Sequence, residues 1–192
     1  SIPMGVRATE IRKGQVIQKD GDLLVVVEFE HKTPGNLRAI INVKAKSLTT
    51  GSTSAMRLGS GDILEVAYLD KKRAEYLYRD GAGGNFVFMD VESYEQFELS
   101  EEFVGDKMLY VRENTQVEVS FHGTTAVGVV LPPQVTLTVK EAENAVKGNT
   151  TSGVKKDAVL ETGLKIKVPI HIQVGDQVKV ATETGEFQGR AN

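Results

Sequence analysis

The chain has 192 residues, 40% of them hydrophobic and 26% charged, with a net charge of −3 at neutral pH; this balance belongs to a folded chain of one to three small domains and excludes a disordered tail. It contains no cysteine, which excludes disulfides, thiol catalysis, Cys-ligated zinc and iron–sulfur clusters. No apolar run approaches the roughly 18 residues needed to cross a bilayer, and no basic segment leads into an apolar stretch as in a secretion signal, so a cytoplasmic protein is expected, with Ser1-Ile2-Pro3 reading as an addition ahead of a natural start at Met4.

Period-2 alternation dominates the chain and helix-period patterns are scarce, which predicts an all-β protein. Gly14 to Ile17 and Leu23 to Phe29 read as strands joined across Asp20-Gly21-Asp22. The second is nearly continuous in apolar residues, so burial on both faces is expected. Ala39 to Ala45 is the next strand. Between them, Pro34-Gly35-Asn36 is turn chemistry, because proline presets φ while glycine and asparagine tolerate positive φ. Residues 31–38 should therefore be the tip of a hairpin. From His31 to Gly61 there are five basic residues (Lys32, Arg38, Lys44, Lys46, Arg57) and no acid. Such a run is either a solvated face or a polyanion contact, since clustered Lys and Arg release counterions on meeting phosphates.

In the middle third, strands are expected near Glu75 to Arg79 and Asn85 to Asp90, around a glycine-rich turn from Asp80 to Gly84. Strands flank that turn, and a phosphate cradle would instead open a helix. Tyr68, Tyr76 and Tyr78 read as strand-packing aromatics, with base stacking the lesser alternative. Ser100 to Val104 is one helical turn with Ser100 as its N-cap. Val117 to His122 and Ala126 to Leu131 form a further hairpin, and Pro132-Pro133 suits a domain joint because it is stiff and donates no backbone hydrogen bond. A second joint is expected near Leu64 to Ala67. The division is then 1–65, 66–131 and 132–192, carrying net charges of +2, −6 and +1. Units this small favour closed barrels, which hide their sheet edges.

In the last third, Lys155 and Lys156 sit in a polar loop that either meets phosphate or is simply solvated. Leu164 to Gln173 alternates most clearly, and Pro169 within it indicates an edge strand or a bulge. Val178 to Ala181 follows a Gly175-Asp176 turn, and Thr184-Gly185 turns into a last short strand. Chemistry is hard to find. His31, His122 and His171 lack metal-ligand spacing, no nucleophile elbow or Walker loop occurs, and the middle acids alternate with apolar positions as solubilising residues do. The residues argue for a binding protein with no catalytic residue, metal or cofactor.

Several stretches resemble the bacterial translation elongation factor P family: Thr33-Pro34-Gly35 at the tip, Ala39 through Gly51, Tyr76-Leu77-Tyr78-Arg79-Asp80-Gly81, Lys147 through Gly163, Val168 through Asp176, and Thr184-Gly185-Glu186. The resemblance runs in order over essentially the whole chain. It implies an L-shaped molecule, an SH3-like (KOW-type) barrel followed by two OB-fold barrels. It implies a monomer that binds the ribosome between the peptidyl and exit sites, contacts peptidyl-tRNA and relieves stalling at consecutive prolines without membrane or cofactor. Lys32, Thr33, Pro34, Gly35, Asn36, Leu37 and Arg38 would face the CCA end and the peptidyl-transferase centre. Lys44, Lys46, Arg57, Lys155, Lys156 and Arg190 would meet RNA phosphates. Many family members carry a modified lysine or arginine after the tip Pro-Gly. Here Asn36 stands there, and an amide offers neither an amine nor a guanidinium, so either the tip works unmodified or Lys32 or Arg38 takes part. The alternatives are a specialised paralogue, a stand-alone RNA-binding or chaperone-like module of the same barrels, and an enzyme with an unrecognised site.

Overall fold

The computed structural model describes residues 4–35, 37–144 and 153–191. Their strands form three curled sheets, and helix is confined to short turns. The first sheet runs in the order β1 (Met4–Arg7), β6 (Ile63–Val66), β2 (Val16–Lys19), β3 (Asp22–Lys32), β4 (Ile40–Ser47), β5 (Thr53–Gly59). The second is β11 (Thr125–Val130), β10 (Thr115–His122), β7 (Asp70–Arg79), β8 (Phe86–Asp90), β9 (Gln96–Leu99). The third is β14 (Lys165–Pro169), β13 (Lys155–Leu160), β12 (Gln134–Ala142), β15 (Gln177–Ala181), β16 (Phe187–Arg190). By compactness the chain divides into Ser1–Lys71 with Ser120–Val127, and Lys72–Val119 with Gly128–Asn192. The outer end of the β10–β11 hairpin thus belongs with the first unit, where His122 Nε2 lies 3.4 Å from Gln18 Nε2.

Alternation decides which side chains enter each core. Ile41, Val43 and Ala45 of β4 are buried while Asn42 and Lys44 face out. Ala158 with Leu160, Ile166 with Val168, and Val178 with Val180 do the same in the third sheet. Phe88 is fully buried in the second, between Tyr76 at 5.4 Å and Phe97 at 5.5 Å, a burial that contributes about 1.5–3 kcal/mol.

Several expectations change. β3 is buried on one face only: Leu24 and Val26 point inward while Val25 and Val27 remain half-exposed, because this antiparallel sheet leaves its second face to water. The strand around Tyr76 starts five residues earlier, at Asp70. Of the three tyrosines only Tyr76 packs inside, and Tyr68 and Tyr78 are exposed. Ser100 does cap the short helix α1 (Glu101–Val104), but through its carbonyl, which accepts from Phe103 N–H and Val104 N–H, and not through its hydroxyl. The alternation from Leu164 overruns the strand: β14 stops at Pro169, and Ile172 enters the core from a turn closed by Ile172 N–H donating to the Pro169 carbonyl. β14 is an edge strand, where a proline removes no ladder bond. Leu64 to Val66 lie within β6 of the first sheet. Pro132 and Pro133 donate nothing but accept, from Thr182 Oγ1–H at 2.6 Å and Thr182 N–H at 3.0 Å respectively.

Candidate functional site

β3 and β4 form a long antiparallel finger, with Leu24 opposite Ser47 at its base and Lys32 opposite Ile40 at its end. A shift of register between Val26 and Glu28 marks a bulge, which bends and twists such a ribbon. An isolated hairpin is marginally stable. This one is backed along β4 by β5, from Lys46 opposite Thr53 to Ile40 opposite Gly59. Thr33, Pro34, Gly35, Leu37 and Arg38 lie beyond the paired region, which ends at Lys32 opposite Ile40. Leu37 N–H donates to the Pro34 carbonyl at 3.0 Å, closing a turn in which Gly35 takes φ +56°, a backbone state that costs glycine nothing. Thr33, Pro34, Gly35 and Arg38 are exposed, and Leu37 is 70% exposed. Asn36 lies outside the described residues.

The base of the finger is held by a polar clasp that no local signal in the sequence announces. Ser47 Oγ–H donates to Asp22 Oδ2 at 2.7 Å, and Thr49 Oγ1–H and Leu23 N–H donate to Asp22 Oδ1 at 2.9 and 2.8 Å. Ser47 Oγ in turn accepts from Thr49 N–H and Thr50 N–H at 3.2 and 3.0 Å. Ser47 is 4% exposed, and its network spends its donor and both acceptor sites. The Ser47 hydroxyl, then that of Thr49, hold the Asp22 carboxyl below the usual carboxylate value.

The basic stretch 31–61 lacks acids along the chain but not in space. The register sets Glu28 opposite Lys44, and the two form an ion pair at 3.3 Å. Glu30 pairs with Lys32 at 2.8 Å, and that contact raises the lysine's affinity for its proton. Lys44, Lys46 and Arg57 nevertheless share one outward face, since Lys44 lies opposite Ala55, Lys46 opposite Thr53 and Arg57 opposite Asn42. Lys155 and Lys156 are in strand β13, not in a loop. A run of three charged residues suggested solvent, but pairing to β14, with Lys155 opposite Pro169 and Lys156 opposite Val168, orders it. Alternation sends the two lysines to opposite faces: Lys155 lines a groove with Lys165, Lys167 and Phe187, and Lys156 lines another with His171 and Val174. Lys165 and Lys167 were legible as one face of the alternating run and extend the basic surface, although Lys167 is paired with Asp157. Arg190 forms an ion pair with Asp176 at 3.4 Å. Among the described residues no three His, Cys, Asp or Glu come together as metal ligands, and no helix is long and apolar enough to cross a membrane.

Comparison with known proteins agrees along the whole chain. Residues 7–64 match the family described as "Elongation factor P (EF-P) KOW-like domain", residues 69–129 the "Elongation factor P (EF-P) OB domain", and residues 135–190 "Elongation factor P, C-terminal". Elongation factor P of Thermotoga petrophila is 44% identical over 97% of this chain and 100% of its own length. That of Acidobacterium capsulatum is 41% identical over 98% and 100%, and that of Acidothermus cellulolyticus 40% over 95% and 97%. Three β domains in this order and identity at this level over the full length have one reading: the chain belongs to the elongation factor P family of translation factors.

Proposed function

We propose that this protein, a cytoplasmic monomer of three units divided at about residues 65 and 131, binds the ribosome between the peptidyl and exit sites. There it sets the finger tip, Lys32 to Arg38, against the CCA end of peptidyl-tRNA. It relieves stalling at consecutive prolines by positioning and performs no bond-making itself. Proline is a constrained, poorly placed nucleophile, and holding the peptidyl end in a productive pose lowers the entropic part of the barrier. Lys44, Lys46, Arg57, Lys155, Lys156 and Arg190 meet RNA phosphates, which fix position without reading sequence. Within the family, the observation that carries this reading is the finger. It is a backed, clasped ribbon ending in a closed Pro34–Leu37 turn with an exposed apolar tip.

The test is synthesis of a triple-proline peptide in a reconstituted translation system. Added protein should restore the full-length product. Pro34→Ala, which loosens the turn, should reduce that rescue more than it reduces ribosome affinity. Equal losses in both contradict the positioning role, and rescue that survives replacement of the whole Thr33–Arg38 tip points to a separate active site.

A further inference from the structure

Two steps in the chain join an aspartate to a glycine, Asp20-Gly21 and Asp80-Gly81, and no asparagine precedes a glycine. At such a step the main chain can rearrange. The amide nitrogen of the second residue attacks the side-chain carboxyl carbon of the first, and glycine, lacking Cβ, leaves that approach open. The reaction needs an amide nitrogen free of hydrogen bonds, a carboxyl group free of partners and a turn able to rotate. The fold gives the two steps opposite circumstances.

Asp20 and Gly21 form the exposed two-residue turn between β2 and β3, closed by the pairing of Lys19 with Asp22. Both take positive φ, +52° and +78°, as a type I′ hairpin turn requires. That region strains Asp20, which carries a Cβ. Among the described residues, neither the Gly21 N–H nor the Asp20 carboxylate has a partner, and nothing lies within 4 Å of the place a Cβ on Gly21 would occupy. At the other step the Gly81 N–H donates to the Arg79 carbonyl and the Asp80 N–H to the Asn85 carbonyl, both at 2.9 Å. Gly84 also crosses close against the Asp80 carbonyl. There the attacking nitrogen is engaged and the loop is held on both sides.

We propose that Asp20 is a modification site at which the folded protein converts spontaneously to isoaspartate, while Asp80 is spared. The Gly21 nitrogen bonds to Asp20 Cγ and a Cγ–O bond breaks. That oxygen leaves as water, with the amide proton and one proton from solvent, and a five-membered succinimide closes. Water then opens the ring. Attack at the Asp20 main-chain carbonyl carbon breaks its bond to the Gly21 nitrogen and routes the chain through Cβ and Cγ, whereas attack at Cγ restores aspartate. Water is released and then consumed, so the mass is unchanged. The product carries one extra main-chain atom two positions before Asp22, the carboxylate bonded to Ser47 and Thr49 at the base of the finger. Loop length fixes hairpin register, so the longer loop displaces the Lys19–Asp22 pairing and loosens the clasp. This inference stands whether or not the finger meets tRNA.

The experiment ages the full-length protein in neutral buffer, folded and, in parallel, unfolded in guanidinium chloride. Isoaspartate is counted by methyl transfer from S-adenosylmethionine with an isoaspartyl methyltransferase, and located by electron-transfer fragmentation of peptides. In the folded protein it should accumulate several-fold faster at Asp20 than at Asp80. In the unfolded chain the two rates should converge, because sequence alone acts there. Asp20→Ser should abolish the signal at that turn and leave Asp80 as slow as before. The isoaspartyl form, separated by ion exchange, should unfold at a lower urea concentration than fresh protein. Equal rates at the two steps in the folded protein, a faster Asp80, or no isoaspartate at Asp20 overturns the proposal. A difference that persists in the unfolded chain overturns its structural cause, and an unchanged urea midpoint overturns the effect on the clasp.

Discussion

Asp22 and Ser47 stand 25 positions apart and meet at 2.7 Å, so the finger is anchored by a contact between its own two ends. Hydrogen bonds to an ionised carboxylate favour the charged form, and here they lower the Asp22 pKa beneath 3.8. The sign follows. A carboxyl with a depressed folded pKa stabilises the fold above its unfolded value and loses that contribution as pH falls through the folded value. Thermal unfolding of the wild type should therefore exceed that of Asp22→Asn by a constant margin above about pH 5, and the margin should close as the medium becomes more acid than the folded pKa. A margin that stays unchanged into strong acid would show that the clasp does not depend on the charge. Asp90, held low chiefly by Glu92 N–H and Ser93 N–H, titrates in the same direction, so the comparison must be between variant and wild type and not of absolute curves. None of this was visible in the sequence, where Asp22 read only as the end of a turn and Ser47 only as part of the stretch from Ala39 to Gly51.

At the scale of elements, the β7–β8 connection shows what a turn can demand. Asp80 N–H donates to the Asn85 carbonyl and Gly84 N–H to the Gly81 carbonyl, folding the loop so tightly that a Cβ on Gly84 would lie 1.7 Å from the Asp80 carbonyl oxygen. Backbone cannot yield as a side-chain end can. Gly84→Ala should lower stability by about 2–3 kcal/mol and release Arg79 from its bond to the Gly84 carbonyl. Gly83→Ala, with φ +76° but open space around it, should cost about 1–2 kcal/mol from strain alone. Urea unfolding of the two variants checks the order. The glycine-rich composition marked the turn, and the flanking alternation marked β7 and β8, because turn chemistry and period-2 burial are local signals. β1 and β6 were not legible: four-residue strands that pair Met4 with Val66 and Arg7 with Ile63 owe their existence to a partner some sixty positions away.

At the scale of the whole molecule, the proposed contact with RNA phosphates would be salt-dependent, but the uneven charge along the chain does not say which cations are available. Lys44 shares its charge with Glu28 at 3.3 Å, whereas Arg38 stands on the exposed tip. If both residues act on phosphate, Arg38→Ala should flatten the plot of log affinity for the ribosome against log salt by about 0.7–0.9. Lys44→Ala should flatten it less, and Glu28→Gln should steepen it. Salt titrations of ribosome binding by the three variants measure this directly. Identical slopes for all three would remove the phosphate assignment.

Alternation, turn residues and the missing cysteine were enough to determine an all-β chain without thiol chemistry. The ordered motifs from Thr33 to Glu186 were enough to point to its family. These are local or compositional properties, written into neighbouring residues, and they survive without knowledge of the fold. Tertiary structure alone decided that Glu28 and Glu30 answer the basic stretch, that Lys155 and Lys156 leave a strand on opposite faces, and that Asp22 locks onto Ser47. Each of these depends on strand register, and register brings distant residues within a few ångströms, where electrostatics and hydrogen bonding act.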